Sequence, residues 1–280
     1  MIQWSSEGSG FLFGVSSRML LGVVVSSVLL LALARKVSWH PQALKTYIAA
    51  GLGIFGAMSM VYWGAQFIPS GLISVLFGLT PIFTGVLAAV WLNERSLTSN
   101  KLLGIVLGIA GLVIIFGNGV EFGNDAIKGI VAVLLSVVLH SVSAVWVKAI
   151  DARLPAMDVT HGGLLVAAPL YLFTWFSYDG VIPSELSTRA LMAILYLAVF
   201  GSVLGFFLYY YVLKHIDASR VALATLITPV TALFLGQLLN NETHDPLVWM
   251  GTALILIGMS FYQWGSKFIS VLNRGKMKWN

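Results

Sequence analysis

The amino-acid sequence predicts an all-α membrane protein, a polytopic helical bundle organised as two inverted repeats. Three observations support this fold class: the composition, nine long apolar segments and an internal repeat. Hydrophobic residues make up 58% of the 280 positions, charged residues only 10%, and the mean hydropathy is +0.91. Soluble domains carry about 25% charged residues, so this chain could not cover a water-exposed surface. The composition therefore excludes soluble enzymes, nucleic-acid binders and secreted modules, and the lack of cysteine excludes disulfides and thiolate metal sites.

Nine segments are long and apolar enough to cross a bilayer, for which about 20 residues are needed. We name them spans A to I in chain order, and they cover 11–34, 46–67, 71–92, 101–118, 128–149, 159–178, 188–213, 219–239 and 246–266. No span alternates strictly between apolar and polar residues, and each is too long for a barrel strand. All nine are expected to be helices, because a helix satisfies its own backbone polar groups within lipid.

Basic residues are distributed unevenly between the two sides of this predicted bundle. The connections are short, so consecutive spans run in opposite directions. When the loop at 35–45 is placed in the cytoplasm, 13 of the 16 Lys and Arg residues lie on that side and two lie on the other. Cytoplasmic loops of membrane proteins carry such an excess. The sequence therefore predicts a multi-pass protein of the inner cell membrane with a cytoplasmic C-terminus.

The chain also repeats itself. A shift of 148 residues places Gly53 on Gly201, Tyr62 on Tyr210 and Thr80-Pro81 on Thr228-Pro229, and a shift of 147 places Gly104 on Gly251 and Gly111 on Gly258. Spans B, C and D thus recur as G, H and I, and A pairs with F. Because B and G run in opposite directions, the repeats are inverted. Inverted repeats are typical of secondary transporters, whose substrate site lies between the halves.

The repeat predicts a division into a first repeat at 1–124, a second repeat at 125–270 and a basic cytoplasmic tail at 271–280. The first repeat has four predicted helices and the second has five. Span E has no partner, because its counterpart would precede Met1. We therefore expect five plus five helices in the full protein, with the first helix missing from this chain.

Two motifs connect the chain with a known family. Thr80-Pro81 lies in an apolar helix that is followed by Asn93-Glu94-Arg95, and the next helix is rich in glycine from Gly104 to Gly111. Span A carries Arg18-Met-Leu-Leu-Gly. With these features the sequence resembles the drug/metabolite transporter superfamily, EamA type. The resemblance implies a ten-helix bundle and alternating access, often in metabolite export.

Three polar residues in spans A and B are candidate substrate contacts. Arg18 lies about a third of the way into A, where an arginine is costly and usually faces the bundle interior. It either binds an anion or carboxylate, or is a snorkelling or structurally paired residue near the outer interface. Tyr62 and Gln66 share one face of B, and they either line a pocket for amphipathic solutes or belong to an interfacial aromatic belt.

Matching prolines occur in the middle of spans C and H. Pro81 and Pro229 each remove a backbone donor and loosen the helix. Interrupted helices at equivalent places in two repeats indicate a transport site, so both prolines are assigned a gating or hinge role and Thr228 a place in the cavity wall. The alternative is a harmless kink, since transmembrane helices tolerate proline.

Span E carries a polar stripe at Ser136, His140 and Ser143, spaced as on one helical face. Trp146 follows on nearly the same side. The stripe is expected to face the interior, either as cavity lining, with proton handling at His140 as a further option, or as helix–helix hydrogen bonds. Tyr210 in span G is the repeat equivalent of Tyr62 and receives the same assignment.

These observations predict a secondary transporter that exports small amphipathic metabolites such as amino acids or drug-like compounds. A non-transporting membrane sensor or an intramembrane lipid-modifying enzyme is the alternative. Metalloprotease, serine-hydrolase and Walker A signatures do not occur, so we expect no enzyme, no catalytic residue, no metal and no cofactor. The expected partners are a small-molecule substrate and the lipid bilayer, with no nucleic acid, and a homodimer is left open.

Overall fold

The computed structural model describes residues 1–8, 10–92, 99–117, 125–178, 180–183, 185–221, 231, 235, 237–239 and 245–276. The predicted all-α class is confirmed for this part of the chain, which is a bundle of helices. Helices α1 to α6 span Ile2–Ser5, Phe11–Ala32, Pro41–Gly64, Ser70–Phe77, Thr80–Trp91 and Ser99–Gly117. Helices α7 to α9 span Ala126–Ile150, Ala156–Tyr178 and Thr188–Tyr196, and a π-helical segment at Leu197–Leu204 joins α9 to α10 at Gly205–His215. Ala218–Val221 is α11 and Pro246–Lys276 is α12.

Six helical stretches within the described ranges are long and apolar enough to cross a membrane. They are Phe11–Ala32, Pro41–Gly64, Ser70–Trp91, Ala126–Ile150, Ala156–Tyr178 and Thr188–His215, and they correspond to spans A, B, C, E, F and G. Spans D and I contain the shorter apolar stretches Val106–Ile115 and Pro246–Tyr262. The chain is therefore a multi-pass membrane protein. Most of span H lies outside the described residues, as do Thr228 and Pro229.

Span C is divided into two helices, α4 and α5, close to Pro81. Pro81 is the second residue of α5 and has no N–H to offer the carbonyl of Phe77, one turn earlier. The hydroxyl of Thr80 donates to that carbonyl at 2.5 Å. A neighbouring threonine thus satisfies the backbone group that the proline leaves free, and the interruption persists inside the bundle.

Helices α6 and α12 pack through their glycines. A Cβ added to Gly104 would lie 2.4 Å from the carbonyl oxygen of Gly258, and one added to Gly111 would lie 2.6 Å from that of Gly251. Only glycine permits backbones to approach this closely. The repeat equates Gly104 with Gly251 and Gly111 with Gly258, so exchanging the repeats converts one contact into the other. A two-fold axis between the helices has this property, and both contacts require that the helices run antiparallel.

Candidate functional site

The bundle has two chemically different ends. The loops and helix ends around Arg35, Lys36, Lys148, Arg153 and Lys214 form what we call the basic end. The other end, which we call the opposite end, carries Lys128 and Arg189. These two names describe the distribution of charge that the sequence shows.

A vestibule of about 300 Å³ opens at the basic end. Its wall is formed by Thr46 of α3, the end of α7, the α7–α8 loop, Val159 of α8 and Tyr210 of α10. The ammonium group of Lys148 donates to the carbonyls of Leu213 and Ile216, so it closes the end of α10. These contacts tie α7 to α10 at the rim of the vestibule.

Tyr210 separates the vestibule from a narrow crevice deeper in the bundle. Its side chain is buried and lines both spaces. The crevice is also lined by His140, Ser143, Phe206 and Tyr209. The volume in which the centre of a water molecule can lie is about 10 Å³. That is room for roughly one water, so the crevice is nearly closed in this conformation.

His140 faces this crevice, whereas its neighbours on α7 make helix–helix contacts. The His140 ring lies 5.0 Å from the ring of Tyr209 and 6.4 Å from that of Phe77. Ser136 donates to the carbonyl of Ala57 at 2.7 Å, and Ser143 donates to that of Ala49 at 3.0 Å. The stripe thus faces the interior, where both serine hydroxyls bridge α7 to α3 and Ser143 also borders the crevice.

Trp146 points away from the crevice. It is 40% exposed on the outer side of α7. Residues 140 and 146 are six positions apart, which places them about 120° apart around a helix of 3.6 residues per turn. The structure therefore separates Trp146 from His140. Gln66 is also exposed, beyond the end of α3, and its side-chain amide donates to the carbonyl of Trp63 at 3.3 Å.

Arg18 lies near the opposite end and is 4% exposed. Its Nε donates to the hydroxyl of Ser202 at 2.8 Å, and a terminal nitrogen donates to the hydroxyl of Tyr62 at 3.4 Å. Within the described part of the chain, no carboxylate lies within 4.0 Å of this guanidinium. Arg18, Tyr62 and Ser202 form what we call the arginine cluster, in which a buried cation is held by neutral hydroxyls.

The π-helical segment is the part of the site that sequence reasoning missed. It places Ser202 beside Arg18, and a Cβ on Gly201 would lie only 3.0 Å from the guanidinium. π-Helical turns inside α-helices occur frequently at functional sites. The available signal was the small pair Gly201-Ser202 in an otherwise bulky apolar span.

The inverted repeat explains why Tyr62 and Tyr210 lie far apart. They occupy equivalent repeat positions, but α3 and α9–α10 run in opposite directions. Tyr62 is buried near the opposite end, where its hydroxyl also accepts from Ser5 at 3.4 Å, and Tyr210 is buried next to the vestibule. Equivalent aromatic residues thus lie on either side of the bundle centre.

Comparison with known sequences decides the family. The sequence profile of the EamA-like transporter family matches residues 1–117 and again residues 127–263. Together the matches cover most of the chain. This protein belongs to the EamA-like transporter family.

Relatives of this EamA-like protein include several proteins named as transporters. It is 29% identical over 244 residues to the uncharacterized transporter YoaV of Bacillus subtilis, a match covering 86% of this chain and 83% of that protein. An uncharacterized transporter of Archaeoglobus fulgidus is 28% identical over 234 residues, covering 82% and 80%. The uncharacterized inner membrane transporter YedA of Escherichia coli K12 is 25% identical over 196 residues, covering 69% and 62%.

A crystal structure supports the fold of the EamA-like chain. It aligns with a TM-score of 0.69 at 20% identity and covers 92% of this chain and 93% of the other. Since the identity is low, this likeness concerns the path of the helices.

Proposed function

We propose that this protein is a secondary transporter of the inner membrane that exports small amphipathic metabolites by alternating access. The observation that carries the proposal is the position of Tyr210 between the open vestibule and the closed crevice at His140. A side chain that borders two successive spaces along one path is placed to separate them. Membership of a transporter family and the name of the inner-membrane relative support the same function.

The two tyrosines would close the path at opposite ends in turn. The repeats at 1–124 and 125–270 would form the two halves that rock against each other. In this conformation the vestibule is open at the basic end, while the arginine cluster is buried at the opposite end. The state is therefore one that faces the cytoplasm, if the excess of basic residues marks the cytoplasmic side.

The chemistry of the lining favours a solute with an apolar body and a polar head. Phe206 and Tyr209 provide aromatic surface at the crevice, and His140 provides a hydrogen-bonding group. Arg18 already contacts neutral hydroxyls, and it would bind a carboxylate more strongly than it binds them. An amino acid or a drug-like carboxylate has both features.

The test is an export screen with labelled amino acids and toxic analogues, followed by flux measurements on variants that reach the membrane in equal amount. We expect His140→Ala and Tyr210→Ala to lower flux of the identified substrate about tenfold, which corresponds to ~1.4 kcal/mol. Ser27→Ala is the control, because Ser27 bonds within its own helix to the carbonyl of Val23. Unchanged flux in both variants would contradict the assigned site, and no flux from the native chain across the panel would favour a sensor.

A further inference from the structure

A carboxylate and an imidazole are buried together at the basic end, outside the path described above. Asp158 lies in the first turn of α8 and is 2% exposed, and His161 follows one turn later and is 7% exposed. The sequence alone did not point to the pair, because Asp158 lies one residue before span F. The spacing of three residues, which places both on one helical side, was the available signal.

Asp158 holds the loop between α2 and α3. Its Oδ2 accepts from the backbone N–H of Ser38 at 3.4 Å, and the carbonyl of Ser38 accepts from the hydroxyl of Tyr47 at 2.8 Å. His161 is held by a different helix, since its Nδ1 lies 2.9 Å from the hydroxyl of the fully buried Ser26 of α2. The pair thus contacts α2 and the α2–α3 loop, and Tyr47 of α3 bonds to the same loop residue.

The charge of Asp158 is poorly compensated. In the described ranges, no Lys or Arg nitrogen lies within 4.0 Å of its carboxylate. The charged residues of the adjoining elements, Arg35 and Lys36 in the loop and Lys45 on α3, are exposed. Among the described residues, Tyr47 on α3 and His161 on its own helix are close enough to interact with the charge of Asp158, and Ser26 of α2 contacts His161.

A buried carboxylate without a cation is costly, and uptake of a proton removes that cost. Buried Asp and His residues within membrane-spanning helices are characteristic of proton pathways in pumps and transporters. Protonation would also weaken the bond to Ser38, because a neutral carboxylic acid accepts a hydrogen bond less strongly than a carboxylate does. Proton uptake and the position of the loop are therefore linked, because both depend on the carboxylate of Asp158.

We propose that Asp158 and His161 form a proton-binding site that couples a proton gradient to transport. The site takes up one proton from water, carried as the O–H of Asp158 with His161 one turn away, and the loop is then released. When the proton leaves to water at the basic end, the carboxylate is restored and again accepts from Ser38. This inference rests on the proposed transport function, for which it names the driving ion.

Helices α3 and α8, which both bond to Ser38 in the α2–α3 loop, also line the vestibule. Thr46 and Val159 face the vestibule, and their chain neighbours Tyr47 and Asp158 hold the loop. A displacement of the start of α8 or of α3 would therefore change the vestibule wall and the proton site together. This shared support is the physical route by which proton binding would change access to the substrate path.

Infrared difference spectroscopy on the full chain in lipid nanodiscs tests proton binding without any substrate. We expect a carboxylic-acid C=O band that appears as the pH is lowered, because a protonated carboxyl group then replaces the carboxylate. The band should be lost in Asp158→Asn and kept in Asp151→Asn, whose carboxyl is exposed at the same end. A band that survives in Asp158→Asn, or its absence from the native chain, would overturn the proposal.

Thiol labelling tests the release of the loop. The native chain has no cysteine, so Lys36→Cys in the loop and Lys45→Cys on α3 each give a single reactive group. The ratio of their labelling rates cancels the effect of pH on the thiol. We expect this ratio to rise as the pH falls, and to stay at its acidic value at every pH in the Asp158→Asn background. A ratio independent of pH in the native background would refute release of the loop.

These measurements separate the two proposals. If the band and the labelling behave as expected but no substrate is exported, the proton site stands and the transport function fails. If export is found but Asp158→Asn leaves its dependence on the proton gradient unchanged, transport stands and the coupling site fails.

Discussion

Hydroxyl groups hold the guanidinium of Arg18 inside the bundle. The hydrogen bonds to Ser202 and Tyr62 satisfy two N–H groups of the guanidinium, and both acceptors belong to other helical segments. A neutral partner stabilises a buried cation less than an anion does. Arg18 therefore retains the capacity to bind an anionic group, and it also fixes α2 against the π-helical segment.

Removing the hydroxyl of Ser202 should destabilise the protein. In Ser202→Ala the Nε of Arg18 loses its 2.8 Å acceptor while the charge stays buried. We expect a loss of about 1–3 kcal/mol, measured as thermal unfolding in detergent. Replacing Arg18 as well, by Met, should recover part of this loss, because no unsatisfied charge is left.

Ser27→Ala serves as the matched control for this cycle, since the Ser27 hydroxyl bonds within α2. It should change stability much less than Ser202→Ala does. Equal effects of the two serine variants, or strictly additive effects of Arg18→Met and Ser202→Ala, would show that the hydrogen bond contributes little.

At the scale of helices, the two repeats meet along α6 and α12. Gly104 and Gly111 contact Gly258 and Gly251 crosswise, as a two-fold relation between equivalent helices demands. Close backbone approach provides dispersion contacts that lipid-facing side chains cannot provide, and helix association in membranes depends on such packing. This pair therefore joins the halves that the proposed mechanism moves.

A single methyl group at Gly104 should weaken that junction, whereas one at Gly108 should be tolerated. The Cβ of Gly104→Ala would lie 2.4 Å from a backbone oxygen, which cannot move without displacing α12. The Cβ of Gly108→Ala would meet the tip of Ile82 at 3.2 Å, and a side chain can yield. We expect losses of about 1–3 kcal/mol for Gly104→Ala and below about 1 kcal/mol for Gly108→Ala.

Thermal stability of the two purified variants, compared with the native chain by size-exclusion chromatography after heating, measures this difference. Similar melting of Gly104→Ala and Gly108→Ala would mean that the α6–α12 contact is not close in the membrane.

At the scale of the whole molecule, the helical class and the repeat could be predicted because both follow from patterns along the chain. Apolar length predicts a spanning helix, and a constant shift between Gly, Tyr and Thr-Pro positions indicates equivalent elements. The site was predicted less completely. Spacing predicts that His140 and Tyr210 face the interior, where both border the crevice, but spacing alone does not show that Trp146 faces outward.

Two features depended on contacts that the linear pattern does not contain. Ser202, which lies in the π-helical segment, is a partner of Arg18 across 184 residues of sequence. Asp158 accepts a hydrogen bond from the α2–α3 loop, 120 residues away, which lies against the start of α8. In each case a tertiary contact determines the environment of a residue whose local sequence is typical of an unremarkable helix or loop.

The open vestibule and the buried arginine cluster together predict which side of the membrane reaches the path. A cysteine replacing Val147, a half-buried residue of α7 that lines the vestibule, should react with a membrane-impermeant thiol reagent in inside-out vesicles and be protected in right-side-out vesicles. Lys128→Cys, on an exposed side chain at the opposite end, should show the reverse preference. The preference of Lys128→Cys tests the orientation, and that of Val147→Cys tests the open side. If Val147→Cys reacted fastest from the same side as Lys128→Cys, the vestibule would have to open through the arginine cluster, and a cytoplasm-facing conformation would be wrong.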